Sequence, residues 1–580
     1  MKMLNKLSIF LLIALAWGIS SCDQTKLTSL LDNPNTVTPD NASINDLYNK
    51  IQIDFDNFMT SNGGFTFPAT MARERHTTAG FTYNDFFGPS DFNFTWRVAY
   101  SGIFPDVQLV IDLAAEKGLD VHAGTVKIIK AYVMLTLVDI FGNVPFSEAG
   151  QGTDVISPVD DPGDQVYAAA GALLDEAIAQ LSGTTAAPPR TDIFYGGDVS
   201  KWITLAKTMK LKIALTTRLV NSKAKDEINA VVSGGDLIDE ASEDFQFQYS
   251  TNRVNPDARS PHYAEHYESD DGGYMANYFM WLLQGEKLDA DENPVKDPRI
   301  RFYFYRQVSD ALNQDLNTYS CIFSDLPDQS MKPQHYIDID PRMPYCALED
   351  GYSGRDHLNG SGIPPDGPIR TVWGLYPAGG KFDDNSFSGV QNSGTDGGLG
   401  AGIDPLLLSS FVDFMRAEAA LTLGTNDDPR AMLESGINAS MAKVFSFKSL
   451  VAGDLARVLT DPVTGEQRTV EESFVPSDST VQAYVDFVLN EYDNAANDDE
   501  KLNIIMKEYL IALWGNGIEA YNNYRRTGKP DKIQPTLEPA SGAFARSAFL
   551  PAVHVDFNAN ATQKAVTDKV FWDDGSATVY

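Results

Sequence analysis

The chain carries a helical apolar rhythm that runs, stops for more than a hundred residues and restarts, and few architectures accommodate that pattern. Ile44, Leu47, Ile51, Phe55, Phe58 and Met59 recur at helical spacing, which predicts an amphipathic helix capped by Asp40 or Asn41. Ile128 to Val138 is apolar nearly all round, so it predicts a helix enclosed by other helices and stopped at Gly142. Val166, Ala170, Leu173, Leu174, Ala177, Ile178 and Leu181 mark the next helix. Trp202, Leu205, Ala206, Met209, Ile213 and Leu219 mark another, capped by Asp198 or Ser200. After the interruption, Leu407, Phe411, Phe414, Met415 and Leu421 line one face. Asp404-Pro405 is read as that helix's cap and first position, and Gly424 as its end. Val481 to Val488 and Leu502 to Leu513 follow. The predicted fold is mainly α, with helix pairs on both sides of a loop-rich middle. No clean 34-residue repeat is visible, so periodicity alone does not establish tetratricopeptide repeats.

The interruption has its own chemistry. Residues 235–400 are rich in Gly, Pro, Asp and aromatics, and 385–402 reads as an exposed loop. A second aromatic and polar loop is expected from Phe65 to Phe94.

The N-terminus reads as an export signal. Lys2 and Lys6 precede an apolar run from Leu7 to Leu15, which is short for a membrane span. Ile19-Ser20-Ser21-Cys22 then places small residues before a cysteine, the arrangement a lipoprotein signal peptidase needs. The expected organisation is a signal peptide at 1–21, a lipidated polar tether at 22–41 with Cys22 as anchor, and one globular domain at 42–580. Variable excursions are expected at about 240–400. Cys321 and Cys346 remain, either as a disulfide or as two buried thiols; sequence does not decide between them.

Composition narrows the partners. Hydrophobic residues make up 43% of the chain, enough for a large core. The net charge of −34 argues against nucleic acid, whose phosphates need basic grooves, and against lying on an anionic membrane surface. Membrane attachment is expected through the lipid alone.

Enzyme motifs are sparse. There is no G-x-S-x-G and no phosphate loop, since Gly379-Gly380-Lys381 is followed by Phe382. Asp289-Ala290-Asp291-Glu292-Asn293 begins like a calcium loop, but Pro294 stands where that loop needs Gly and Ile300 where it needs Glu. No cofactor is expected, although the many carboxylates leave room for a structural calcium ion. His262-Tyr263-Ala264-Glu265-His266 matches the zinc-hydrolase pattern H-x-x-E-H, and a paired-carboxylate glycosidase is the broader alternative. The chain is nonetheless read as a binding protein and not an enzyme, with a surface-anchored hydrolase as the alternative.

Four strings in order resemble the SusD/RagB family of nutrient-binding outer-membrane lipoproteins, closest to its SusD-like 2 branch. They are Asp139-Ile140-Phe141-Gly142-Asn143-Val144-Pro145-Phe146, Asp192-Ile193-Phe194-Tyr195-Gly196-Gly197-Asp198 running into Trp202, Arg416-Ala417-Glu418-Ala419-Ala420, and Glu519-Ala520-Tyr521 leading to Arg525-Arg526-Thr527-Gly528-Lys529-Pro530. The resemblance implies tetratricopeptide-like helix pairs packed on a loop-rich ligand-binding half. It also implies an oligosaccharide or peptide nutrient, a SusC-type TonB-dependent transporter as partner, and an outer-membrane position facing the cell exterior. The signature residues themselves are expected to be structural, with Arg525 or Arg526 pairing with Glu418 or Glu519.

Sugar rings stack their C–H faces on aromatic rings while their hydroxyls need polar partners. The ligand-binding candidates are therefore the loop aromatics Phe86, Trp96, Tyr263, Tyr267, Tyr274, Trp281, Trp373 and Tyr376.

Overall fold

The computed structural model describes residues 43–77, 80–269, 273–310, 332–360 and 369–580. Signal peptide, tether, Cys22 and Cys321 lie outside them. Thirteen helices are used below. They are α1 Ile44–Met59, α2 Phe104–Lys117, α3 Asp120–Phe141, α4 Gly163–Leu181, α5 Val199–Thr216, α6 Ala224–Ser233, α7 Pro261–Tyr267, α8 Gln334–Ile339, α9 Ser409–Leu423, α10 Pro429–Ser446, α11 Asp478–Asn494, α12 Asp498–Ala512 and α13 Gly517–Thr527. The strands are short and pair in twos: β1 Arg75–Thr77 with β3 Gly273–Met275, β2 Phe245–Gln248 with β6 Ile403–Leu407, β4 Phe304–Tyr305 with β5 Val372–Trp373, and β7 Val458–Thr460 with β8 Gln467–Thr469, all antiparallel.

The mainly helical expectation holds. α3 is buried on nearly every side because α2 and α4 pack against it, and α4 in turn packs on α5. On the other side of the middle segment, α9 packs on α10 and α12. Gly142, Gly424 and Gly118 end their helices with positive φ, where a Cβ is disfavoured. Asp198 caps α5 by accepting from the Ser200 N–H at 3.0 Å.

Three expectations are corrected. Ser43, rather than Asp40 or Asn41, caps α1. Asp404-Pro405 is not a helix start: both residues lie in β6, which pairs with β2, and α9 begins at Ser409. The Ser409 N–H is satisfied at 2.7 Å by Asp244, a carboxylate from a distant part of the chain that no local reading finds. Part of the Phe65–Phe94 loop is helical, at Asn62–Thr66 and Phe67–Met71. Pro89–Lys117 is moreover long and apolar enough by composition to span a membrane, but here α2 packs on α1 and α3.

The signature strings are carboxylate hubs. Asp139 at the end of α3 accepts from the Tyr167 hydroxyl, from Asn522 at 2.8 Å and from the Trp572 indole at 2.9 Å. Asp192 gathers the backbone N–H groups of Phe194, Tyr195 and Gly197 and the Trp202 indole, the last at 2.8 Å. Glu418 is fully buried and accepts from Arg526 at 2.7 and 2.6 Å and from Arg218 at 3.0 Å. Burial alone would raise its pKa, but the two guanidiniums hold it below the ordinary value. Glu519 pairs with Lys212. Arg525 stacks over Tyr521 and Trp572 instead of joining an ion pair. The Asp139 and Glu418 hubs tie segments far apart in sequence and the Asp192 hub closes a local turn onto α5, which is why these strings mark the fold and not a site.

The middle segment departs from the helical frame and returns to it on the β2–β6 ladder. It is bolted down between those points. Arg299 binds Asp297 and Glu508 of α12, and Trp373 packs on Trp514 with centroids 4.3 Å apart. Cys346 is disulfide-bonded, with its partner outside the described residues.

Candidate functional site

The loop-rich half carries an open depression of about 660 Å³ lined by Pro333, Gln334, His335, Asp338, Tyr345, Leu537, Glu538 and Pro539. Its wall is the short helix α8, which follows Pro333 and is pinned from below by Tyr336, fully buried. The His335 Nε2–H donates to the Thr536 carbonyl at 2.8 Å, joining α8 to the opposite rim. That rim is held by its own hydrogen bonds: the Thr536 and Ser541 hydroxyls both donate to the Glu538 carbonyl, at 2.8 and 2.7 Å. The Leu537 N–H donates to the His357 carbonyl at 2.8 Å, and the Tyr83 N–H to the Ser541 carbonyl at 3.1 Å, which fastens the rim to the 80s loop.

The chemistry of the depression is mixed. Gln334 donates to Asp338 at 2.8 Å, so an amide and a carboxylate are prearranged at one side, with Glu538 facing from the other rim. Pro333, Leu537 and Pro539 supply apolar surface, and the largely buried Tyr345 reaches the lining only with its edge. Burial, followed by the charge of Asp356, raises the Tyr345 pKa and keeps its hydroxyl a proton donor. Apolar faces beside a few placed acceptors and donors are what a saccharide or a polar peptide needs. Sequence reading missed all of these residues: an isolated His, Asp and Glu in a carboxylate-rich chain carry no distinguishing pattern.

The eight aromatic candidates are placed otherwise than expected. Phe86, Trp96, Tyr263, Tyr267, Tyr274, Trp281, Trp373 and Tyr376 are all buried, none exposed by more than 7%. Protein groups cover their faces. Tyr263 and Tyr267 stack on each other at 4.4 Å, and their hydroxyls donate to the Asp396 and Trp373 carbonyls. Tyr274 lies under the guanidiniums of Arg355 and Arg370, at 4.1 and 4.4 Å. Trp96 is covered by Tyr100 and His554, Trp281 by Arg342, Tyr376 by Tyr303 and Phe447, and Phe86 by Phe87 and His76. A long segment with little regular structure still has to form a core, and these rings form it.

The H-x-x-E-H motif lies on α7 and is engaged in a buried ion pair. Glu265 is bound to Arg75 and accepts from the Trp373 indole at 2.9 Å. Burial would raise its pKa, but Arg75 overrides this and holds it at about 2. His266 donates to the Gly273 carbonyl at 3.0 Å, and His262 stacks on Trp373 at 4.5 Å. Burial lowers their pKa values to about 4 and about 3. A zinc ion here would have to displace a guanidinium. Asp289 is likewise engaged, accepting from the Asp291 and Asn293 N–H groups within its own turn. Among the described residues no group of three or more His, Cys, Asp or Glu is placed to hold a metal.

Against known families, residues 34–343 match the SusD-like 2 model, described as starch-binding associating with outer membrane. Residues 404–568 match the SusD-like model, described as SusD and RagB outer membrane lipoprotein. The first match alone spans more than half of the chain. This chain belongs to the SusD/RagB family. Solved structures agree on the fold. A SusD/RagB family protein from Bacteroides thetaiotaomicron superposes with a TM-score of 0.64 at 19% identity, covering 92% of this chain and 100% of that one. A chitin-binding SusD homolog from Flavobacterium johnsoniae gives 0.58 at 19% identity, covering 92% and 99%. A further structure described as a chitin-binding protein gives 0.63 at 18%, covering 92% and 100%. No curated protein sequence matches the chain. SusD-like proteins have helical, tetratricopeptide-like repeats, and α2 to α5 and α9 to α12 supply them here.

Proposed function

We propose that this SusD-like protein is a lipid-anchored receptor on the outer membrane. In this reading it captures an oligosaccharide in the depression between α8 and residues 536–539 and passes it to a SusC-type TonB-dependent transporter. One observation carries the reading. Within a family described as starch-binding and outer-membrane-associated, the loop-rich half holds an open depression whose lining alternates apolar surface with carboxylate and amide groups. Two structural relatives are described as chitin-binding, which favours a glycan over a peptide and makes N-acetylated oligosaccharides the first probes. The role is binding without turnover, since H-x-x-E-H is taken up by an arginine ion pair. The anchor is Cys22, which precedes every described element. Nothing in this reading requires a cofactor, and a structural calcium ion would be incidental to capture.

The test is calorimetric titration of the chain with chito-, malto- and xylo-oligosaccharides and with mixed peptides. Saturable binding of a glycan, weakened at least tenfold by Tyr345→Ala and Asp338→Ala, is the expected result. Binding of peptides only, or glycan binding indifferent to both changes, would overturn the assignment. Cys22→Ala should release the protein from membranes, and retention there would remove the anchor from the scheme.

A further inference from the structure

A second cavity lies on the helical side, remote in sequence from α8. It holds about 250 Å³ between α2, α3 and the loop after α3, with Tyr100, Phe104, Met134, Leu137, Phe146 and Val166 supplying most of its apolar wall. Met134, Leu137 and Val166 are buried and form the floor, while Tyr100, Phe104 and Phe146 are half-buried at the mouth. One cation reaches this apolar space. Lys130 of α3 lies 5.9 Å from the Phe104 ring centroid, and among the described residues no carboxylate pairs with it. Its neighbours on the same helix face differ: Lys127 is paired with Glu176. Burial lowers the Lys130 pKa, with no opposing carboxylate to restore it.

Large apolar side chains are exposed on segments linked to the cavity wall. Phe94, Ile156, Val159 and Phe557 are 56%, 80%, 40% and 81% exposed. They are held together by a clasp of three segments. The Val553 N–H donates to Asn93 at 2.9 Å, Asn558 donates to the Pro158 carbonyl at 2.8 Å, Asn560 donates to the Ser157 carbonyl at 2.6 Å, and His554 meets Asp160 at 2.8 Å. The clasp joins the cavity wall directly, because the Val159 N–H donates to Glu148 at 2.9 Å and the Tyr100 hydroxyl to the Pro145 carbonyl at 2.8 Å. The helical run Pro89–Lys117 that carries Phe94, Tyr100 and Phe104 has only a third of its most apolar stretch buried. Four large exposed side chains on adjoining segments are more than scattered surface residues and mark a contact surface.

We infer that this face is a docking site for a polypeptide that inserts one large apolar side chain into the cavity and sets a carboxylate against Lys130. The cavity has room for one such side chain. The unpaired cation on its wall selects a carboxylate beside it. The exposed apolar side chains lie outside the cavity lining, on segments bonded to its wall, where a small acid seated in the cavity does not reach, so the occupant is a chain and not a free acid. The site is separate from the depression at α8 and does not depend on the assignment made there.

The test uses the full mature chain in detergent and three probes: a pentapeptide ending Leu-Phe with a free carboxylate, the same peptide amidated, and 4-phenylbutyrate. The free peptide should bind saturably, and amidation or Lys130→Gln should each weaken it about tenfold. Ala149→Trp, which fills the cavity from its half-exposed rim, should abolish binding. Phe557→Ser, on the exposed surface, should weaken the peptide severalfold. Phenylbutyrate binding as tightly as the peptide would overturn the polypeptide assignment in favour of a small-acid site. So would absence of peptide binding, or peptide binding unaffected by Ala149→Trp, in protein whose helical circular dichroism matches the parent.

Discussion

Glu418 lends itself to a quantitative test because its surroundings are closed. Its two oxygens take three hydrogen bonds from Arg526 and Arg218, and the three side chains are exposed by 0%, 3% and 9%. Glu418→Ala removes the only carboxylate bonded to both guanidiniums among the described residues and leaves two largely buried cations side by side. Breaking a buried pair by removing one partner costs about 3–5 kcal/mol, roughly two to three and a half powers of ten in the folding equilibrium. Urea unfolding followed by tryptophan fluorescence and circular dichroism should show that loss with the slope unchanged. Urea is preferred to guanidinium, which would screen the charges. The triple change Glu418→Leu, Arg526→Met, Arg218→Met should recover most of the loss, since apolar replacement of a whole buried cluster is near neutral. The sign with pH follows from the depressed pKa. The stabilisation is present above the unfolded carboxylate value and is lost as pH falls through the folded value, so parent and variant should converge in acid. A loss below about 1 kcal/mol for Glu418→Ala would refute the reasoning, because it would mean that the cluster is already hydrated.

Three further outcomes are expected. Burial raises the Asp56 pKa to about 7 even though the Tyr249 hydroxyl donates to it at 2.8 Å, and burial followed by Asp56 itself raises that of the neighbouring carboxyl Asp404. A raised carboxyl stabilises below its unfolded value and loses that stabilisation as pH rises through about 7. The parent should therefore gain about 2–4 kcal/mol relative to Asp56→Asn between pH 8 and pH 4, read from paired urea titrations. Arg75→Met strands Glu265 in the core and should cost about 3–5 kcal/mol, with partial recovery on adding Glu265→Gln; an unstable double variant no better than the single would count against the ion-pair reading. Trp202→Phe removes the N–H that donates to Asp192 together with the pyrrole half of a fully buried indole, and should cost about 2–4 kcal/mol in the same assay.

Sequence made the frame legible where burial follows a helical period, as in α1, α3, α4, α5 and α12. It failed where other forces set the structure. The buried residues of α13 include Glu519, Asn522, Asn523, Arg525 and Arg526, so its short apolar stripe of Ile518, Tyr521 and Tyr524 understates how much of the helix is enclosed. α10 sets Gly436 against the Phe414 ring and buries Ser440 among its apolar residues, which blurs its face. The cap of α9 comes from Asp244 in space and not from its neighbours in the chain. For the site, the aromatic rule pointed at rings that the fold buries. Rings numerous enough to attract notice, such as Tyr263, Tyr267, Trp373 and Tyr376, are those needed to fill a core. The depression is walled by His335, Asp338 and Glu538, ordinary polar residues whose meaning depends on a convergence that no local string records.

The antiparallel pairing of Phe245–Gln248 with Ile403–Leu407 has a consequence for how such a protein diversifies. The detour of residues 249–402 leaves and re-enters the helices through a single doorway two strands wide. Whatever is threaded beyond that doorway can vary while the helices on either side keep their order, provided the bolts to the frame, Arg299 to Glu508, Trp373 to Trp514 and Glu265 to Arg75, travel with it. Transplanting the detour of one relative into another at these two strands is therefore the natural engineering route to a new specificity.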